Sequence, residues 1–185
     1  MVESKKAQVL RARKDAQNLL NQANKELEKL DFTWFEAPLP DYDFNGYKKI
    51  TDSVGIKIIP SGNWIVDLQR FSEAINNKIW SATRTDMAML GGITNGKKAM
   101  DISEIAGLDC EIMSWGYTLV SVANLHLMLA NNNCTYYEQP LPYEMFEFGM
   151  NDVLRTNKDG FMYAPSKPGL GMEINWEKMK EKVIF

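Results

Sequence analysis

The sequence predicts an α/β fold in which short parallel strands alternate with helices. In the middle of the chain, short apolar runs rich in isoleucine and aromatic residues recur, and each ends in a turn-rich segment. Each turn is followed by apolar residues at i+3 and i+4 spacing, which is typical of an amphipathic helix. This alternation favours right-handed βαβ units and a parallel sheet, either open and doubly wound or curled into a barrel.

The composition is that of an ordinary globular domain and argues against several kinds of partner. The chain has 185 residues and a formal net charge of -3, so it lacks the basic footprint of nucleic-acid or acidic-membrane binding. Its two cysteines, Cys110 and Cys134, are expected to be small core residues rather than a disulfide framework. No apolar run is long enough to span a bilayer, and the N-terminus has no signal-like apolar region. We therefore expect a cytoplasmic protein with no nucleic-acid or membrane partner.

Residues 1–31 are expected to form a first unit, a long amphipathic helix. Between Ser4 and Leu30, apolar residues recur at i+3 and i+4 spacing, and neither Gly nor Pro interrupts the stretch. Ser4 is the candidate N-cap of this helix. Its interleaved basic residues are expected to form a solvated face.

Residues 32–142 are expected to form part of a barrel that begins with the strand Phe32–Glu36. This aromatic run ends on one carboxylate and is followed by a proline-rich loop, and Cys134–Glu138 repeats the theme. Strands of a parallel sheet are apolar throughout, and functional groups sit just past their carboxyl ends. We therefore predict that the first and last strands deliver Glu36 and Glu138 to one rim.

The elements between these two strands are predicted in order. A short helix near residues 47–52 is followed by strands at Ile56–Ile59, Ile79–Arg84 and Cys110–Met113, and by helices marked by Leu68, Phe71 and Ile75, by Ala99, Ile102 and Ile105, and by Leu119–Ala130. No Gly-rich phosphate-binding fingerprint follows the first strand, which argues against a dinucleotide-binding sheet. Polar residues after every strand favour a barrel rim instead.

Residues 143–185 are expected to form a tail that packs on the barrel. The segment Leu154–Tyr163 predicts a β-hairpin that turns on Lys-Asp-Gly, and Asn175 is expected to open a short final helix. The aromatic and methionine residues of 143–148 are either core or an interaction surface.

Three motifs occur in the order found in one superfamily of barrel enzymes. Trp34-Phe35-Glu36-Ala37-Pro38 is similar to a Trp-x-Glu-Glu-Pro motif on a fourth barrel strand, and Asp86 followed by Gly91-Gly92-Ile93-Thr94 is similar to a sixth-strand motif. The tail from Asp159-Gly160 to Ile174 is the third. Together they resemble the C-terminal barrel portion of the enolase superfamily, within its mandelate racemase/muconate lactonizing group of acid-sugar dehydratases. The resemblance implies about strands four to eight of a (β/α)8 TIM-type barrel.

The resemblance also implies a chemistry. Members of this group abstract the proton α to a carboxylate and hold the resulting enediolate with Mg²⁺, because a divalent cation neutralises charge that develops on the carboxylate oxygens. Carboxylates at successive strand ends usually hold the metal, and lysines or a His-Asp pair serve as bases. Mg²⁺ as cofactor, a sugar acid as substrate and a lyase or isomerase activity follow as expectations.

For the metal, the resemblance implies an incomplete ligand set. Glu36 falls on the fourth-strand metal ligand, whereas the fifth-strand ligand falls on Gly62. The neighbouring Asn63 is the candidate that supplies an amide oxygen in its place. Asp67 and Glu111 remain open as further substitutes.

For the acid–base chemistry, the resemblance implies two catalytic residues. Asp86 falls on the sixth-strand Asp that partners a basic His, and Glu138 falls on the eighth-strand acid. The His itself falls on Trp115, whose indole N–H can only donate a hydrogen bond.

Each candidate also has a structural interpretation. In that interpretation, Glu36 and Glu138 are either exposed to water or paired with Arg84 or another cation. Asp86 then caps the turn that follows it. His126, on an apolar helix, is interpreted as a structural histidine.

The expected function is that of a truncated or degenerate sugar-acid dehydratase or epimerase with little activity alone, because the lysine pair, the His and one ligand are missing. The alternative from another class is a non-catalytic assembly or binding protein, since open barrel edges pair with something unless they are covered. The long N-terminal helix could cover one edge, a homo-oligomer could cover them, and so could another chain that supplies the missing capping domain and lysines.

Overall fold

The structure, a computed structural model, describes residues 5–184 and shows the predicted alternation of strands and helices. The elements are α1 (Lys5–Lys29), β1 (Trp34–Glu36), α2 (Phe44–Thr51), β2 (Lys57–Ile59), α3 (Leu68–Asn76), β3 (Thr83–Thr85), α4 (Ile93–Ile105), β4 (Cys110–Ile112), α5 (Thr118–Leu129), α6 (Tyr143–Phe146) and α7 (Trp176–Lys180). Ser4, the predicted N-cap of the first helix, lies outside the described residues. Within residues 5–184, no helix is both long and apolar enough to cross a membrane.

The strands form two parallel pairs that adjoin in chain order. β1 pairs with β2, and β3 pairs with β4. The segment that leads into β3 joins the two pairs into one continuous surface. Ser81 N donates to Ile58 O of β2 at 3.2 Å, and Ile58 N donates to Ser81 Oγ at 2.6 Å. Parallel neighbours in chain order are what consecutive βαβ units produce.

Alternate residues of the strands face opposite sides of this surface. One set, including Ile58, Cys110 and Ile112, is buried against the helices in the main hydrophobic core with Phe71 and Met100. The other set faces a cavity of about 140 Å³ that is lined by Thr33, Trp34, Lys57, Ile59, Ala82, Asp109, Glu111, Thr135 and Tyr136. The lining of this cavity mixes charged, polar and apolar side chains, in contrast to the apolar helix-facing core.

The predicted last strand, which ends at Glu138, is wrong: the segment is not a β-strand, so the described residues contain four strands rather than five. The backbone N–H groups of Thr135 and Tyr136 donate to Glu111 Oε2 at 3.3 and 3.2 Å, and Glu138 N donates to Ser114 Oγ at 2.7 Å. Side chains from β4 and the loop after it therefore replace the carbonyl acceptors of a regular ladder.

The predicted hairpin of the tail, Leu154–Tyr163, is also wrong, although its turn forms. Asn157 Oδ1 accepts hydrogen bonds from Asp159 N at 3.0 Å and from Phe161 N at 2.8 Å. The asparagine side chain closes the loop locally, and the flanking residues stay irregular instead of pairing as strands. The final helix begins after Asn175, as predicted, and the Asn175 side chain caps it.

Candidate functional site

The strand ends bring together one buried arginine and two carboxylates. The side chain of Arg84, in the middle of β3, is 2% exposed. Its Nη1 lies 3.5 Å from Glu36 Oε2 at the end of β1, and its Nη2 bonds to Glu138 Oε1. The carboxylate side chains are 39% and 33% exposed, respectively. We call Glu36, Arg84 and Glu138 the rim triad; it is the ion-paired alternative that the sequence left open.

The position of the rim triad follows from strand periodicity. Each member comes two residues after a residue that lines the cavity, namely Trp34, Ala82 or Tyr136. Residues two apart in an extended chain share a face, so the triad lies above the cavity on its carboxyl-end side. The Trp34 and Tyr136 rings meet edge to face with centroids 5.0 Å apart. The first strand and the last extended segment are therefore connected twice: directly at the cavity and through Arg84 in the rim triad.

Gly62, at the position where the resemblance implies a metal ligand, makes room for Arg84. Its φ of +81° lies in the left-handed region that favours glycine. A Cβ built on Gly62 would lie 3.1 Å from Arg84 Cγ and 3.5 Å from Thr85 N. Any side chain here would press on the arginine that forms the triad.

Asp86, a predicted catalytic residue, is buried outside the rim triad. Its Oδ1 accepts hydrogen bonds from Ala88 N at 2.9 Å and from Asn124 Nδ2 at 2.8 Å. Asn124, on α5, also donates to Met113 O at 3.0 Å and accepts from Met87 N at 3.0 Å. The carboxylate thus closes the turn after β3 and ties it to α5. Its catalytic role stays a prediction.

Asn63, the predicted amide ligand, is exposed, and the loop that carries it is held by Asp41. Asp41 accepts from Ser61 N at 2.8 Å and from Ser61 Oγ at 2.6 Å. Tyr47 donates its hydroxyl to Leu39 O at 2.7 Å, and burial followed by the neighbouring Asp41 charge raises the pKa of Tyr47 well above its usual range. Asp41 therefore fixes the loop after β2 relative to the loop after β1.

Trp115, at the position of the expected base, is 53% exposed. Its ring meets Phe146 of α6 with centroids 5.4 Å apart, and Tyr117 packs near the same ring at 6.0 Å. The loop after β4 thus carries an aromatic cluster with α6. An indole in this place supplies no proton acceptor.

The remaining candidates are His126 and the two cysteines, and none of them belongs to the rim triad. His126 Nε2 lies 3.2 Å from Leu170 O in the tail. Burial raises the pKa of the Cys110 thiol to about 11 and raises that of the partly buried Cys134 further still. Both thiols are free, as predicted.

The residues present do not fit a magnesium site. Glu36 and Glu138 both contact the Arg84 guanidinium, and Gly62 offers no ligand. Asp67 caps α3 by accepting from Arg70 N at 2.7 Å, and Glu111 binds the backbone of the last extended segment. Within residues 5–184, no group of three or more His, Cys, Asp or Glu side chains is arranged to hold a metal ion. The assignment of Glu36 and Asn63 as ligands stays a prediction from the resemblance.

Two residues of the site were not assigned a function from the sequence. Arg84 has a signal there: it interrupts the apolar run that leads into β3, and a buried charge needs a charged partner. Asp41 lies in a polar loop, where one carboxylate among several gives no such signal. The roles of both depend on contacts between segments that are distant in sequence.

Parallel strands that alternate with helices, with charged groups at the strand ends, are the architecture of part of an α/β barrel. Residues 13–178 match the family model described as enolase C-terminal domain-like. The chain belongs to this family, as the motifs at Glu36 and Asp86 predict.

Known relatives agree with this assignment. A D-galactonate dehydratase family member from Musicola paradisiaca is 28% identical over 170 residues, which are 87% of this chain and 38% of the relative. Among solved structures, a protein from Pseudovibrio sp. assigned to the mandelate racemase/muconate lactonizing enzyme group is 37% identical with a TM-score of 0.88, covering 91% of this chain and 45% of that one. D-glucarate dehydratase from Agrobacterium tumefaciens, in complex with magnesium, is 27% identical with a TM-score of 0.75, covering 89% and 43%. The chain thus spans less than half the length of these relatives.

Proposed function

We propose that the chain forms the carboxyl-terminal part of a barrel related to sugar-acid dehydratases and epimerases, with little or no such activity by itself. Relatives support the substrate class, because they include D-galactonate dehydratase family members and a D-xylonate dehydratase from Haloferax volcanii. The low activity follows from one observation: Trp115 stands where a basic histidine is expected.

Abstraction of an α-proton needs a base within hydrogen-bond reach of the substrate. The lone pair of the Trp115 indole nitrogen is part of the aromatic system, so Trp115 cannot accept a proton. Asp86, the partner of the expected base, is buried and engaged with Asn124 and the turn backbone. Glu138 is bonded to Arg84, which competes with a substrate proton for the carboxylate oxygens. The described strand ends therefore lack a free, oriented base.

The test is exchange of the α-proton of sugar acids in D₂O, followed by NMR, together with detection of the α-keto acid that dehydration would form. The purified chain, with or without MgCl₂, is expected to give the buffer rate across a library of sugar acids. Turnover that is lost in Glu36→Gln but kept in the exposed control Glu26→Gln would contradict the proposal.

A second candidate function is assembly with another chain, supported by the free edge of β1. Within the described residues, β1 pairs with β2 on one side and has no strand on the other. Unpaired strand edges are templates for pairing with further strands. Phe32, just before β1, is also exposed. In this function the chain contributes a surface rather than a reaction.

Light scattering after size exclusion tests this second function. The wild type is expected to self-associate at micromolar concentration, and Phe32→Lys is expected to weaken association by placing a charge at the edge. The control is Ile105→Lys, at the exposed end of α4. A wild type that is a clean monomer rules out self-association; capture of a barrel-completing chain from the native host would then be required for the assembly function to stand.

A further inference from the structure

We propose that the Arg84 guanidinium stands in for a divalent cation, as the fixed positive charge that holds Glu36 and Glu138 together and makes this rim independent of metal. The proposal goes beyond the proposed function, because it concerns what neutralises the rim and not whether the chain catalyses a reaction.

The geometry of the rim triad carries the first step. The two carboxylates come from the first strand and from the last extended segment, and both contact one guanidinium. A guanidinium presents N–H donors on more than one edge, so it can bind two carboxylates at once. Without a positive charge between them, the carboxylates would face each other as like charges. Arg84 thus reduces the repulsion between Glu36 and Glu138, as a bound cation would.

The burial of Arg84 carries the second step. Its side chain is almost completely buried, and Nε finds no hydrogen-bond partner among the described residues. A buried cation persists when charged partners compensate the loss of water. The described contacts of Arg84 that can do so are Glu36 and Glu138. The dependence is therefore mutual: the arginine needs the carboxylates as much as they need it.

Gly62 carries the third step, because its lack of a side chain is coupled to Arg84. The space that a Cβ would fill at this strand end is next to Arg84 Cγ. The left-handed φ of Gly62 and this close approach therefore disfavour a carboxylate at position 62 while an arginine occupies position 84. With a carboxylate at position 62, the rim would hold three carboxylates and a divalent cation. With Gly62 it holds two carboxylates, Glu36 and Glu138, and one guanidinium. Both sets have the same net charge, so replacing one by the other preserves the charge of the rim.

Thermal unfolding with and without MgCl₂ tests the proposal on four proteins: wild type, Arg84→Ala, Arg84→Ala/Glu36→Gln/Glu138→Gln, and the control Lys57→Ala. Lys57 lines the cavity below the triad, and its described ion pair is with Asp109 rather than with a triad carboxylate. Wild type and control are expected to show no shift with Mg²⁺. Arg84→Ala is expected to melt lower and to recover by at least about 3 °C when Mg²⁺ replaces the lost charge.

The triple variant keeps the test decisive if Arg84→Ala fails to fold. Removing all three charges abolishes the repulsion, so the triple variant is expected to melt higher than Arg84→Ala and to ignore Mg²⁺. The proposal is overturned if Mg²⁺ stabilises the wild type, if folded Arg84→Ala does not respond to Mg²⁺, or if the triple variant is no more stable than Arg84→Ala. These outcomes are independent of turnover, so they are distinguishable from failure of the proposed function.

Discussion

At the scale of single residues, two buried charges, those of Arg84 and Asp86, are compensated by their partners. Arg84 is a buried cation with two half-exposed carboxylate partners, so the pairs are worth less than fully buried ones, although removing one member leaves a charge uncompensated. Asn124 plays the corresponding role for the buried Asp86, because its amide donates to that carboxylate and accepts from Met87 N.

Replacing Asn124 is therefore expected to be costly. Asn124→Ala removes a donor to Asp86 and leaves Met87 N–H without its acceptor, so the free energy of unfolding is expected to fall by about 2 to 4 kcal/mol. Urea unfolding measures this loss. The matched control is Asn132→Ala, in the exposed loop after α5, which is expected to change the free energy by less than about 0.5 kcal/mol. Equal effects of the two changes would contradict the role given to Asn124.

The Cys110 thiol is expected to make stability depend on alkaline pH. Burial raises its pKa in the folded chain from the ordinary 9.0 to about 11. The stabilisation is therefore fully present below pH 9 and is lost as pH rises through about 11, since the unfolded thiol ionises first. Native Cys110 is also expected to react slowly with a thiol reagent at about pH 8 and to react at once in urea. Rapid modification of Cys110 in the native chain would contradict this expectation.

At the scale of elements, α1 is attached to the barrel by Glu28. Its Oε1 accepts from Gly55 N and from Ile56 N, the latter at 2.9 Å, at the entry to β2. Leu20 and Leu27 of the same helix pack partly buried against the core. These contacts lie in the second half of α1, whereas Val9 and Leu10 in its first half are exposed.

Loss of the Glu28 carboxylate is expected to loosen the second half of α1. Glu28→Ala should lower the free energy of unfolding by about 1 to 3 kcal/mol, because two backbone N–H groups lose their acceptor. Hydrogen exchange of residues 20–29 is expected to accelerate. Glu26→Ala is the control, since Glu26 pairs with exposed Lys29 and such pairs contribute little. An unchanged exchange rate in Glu28→Ala would refute the attachment.

The sequence predicts these elements well where one local pattern decides. α3 has an apolar face at helical spacing, α5 is a continuous apolar stretch, and both follow clear turns, so their positions follow from the sequence. The segment before Glu138 has the composition of a strand, but Glu111 and Ser114 capture its N–H groups. That competition depends on side chains about two dozen positions away, and no local pattern reveals it.

At the scale of the whole molecule, the chain holds together the two ends of a partial barrel. Trp34 meets Tyr136 across the cavity, and Arg84 joins Glu36 to Glu138 above it. The protein from Pseudovibrio sp., of which this chain covers 45%, shares the architecture. The numbering of these strands within a full barrel stays a prediction from the resemblance.

The positions of the candidate site were predictable, and Arg84 was one of the ion-pair partners left open, but the sequence did not determine which contacts form. Glu36 and Glu138 were expected at one rim because parallel strands end at the same edge. The sequence could not show that Arg84 fills the space over Gly62, since that contact joins two different strand ends. The identity of the central charge is therefore a three-dimensional property.

Isothermal titration of MgCl₂ into the chelator-treated wild-type chain tests this central claim most directly. With Arg84 between Glu36 and Glu138, the titration is expected to give the heat of dilution alone up to millimolar Mg²⁺. Saturable binding of one Mg²⁺ per chain that is lost in Glu36→Gln would contradict the account, because it would place a metal ion where the guanidinium lies.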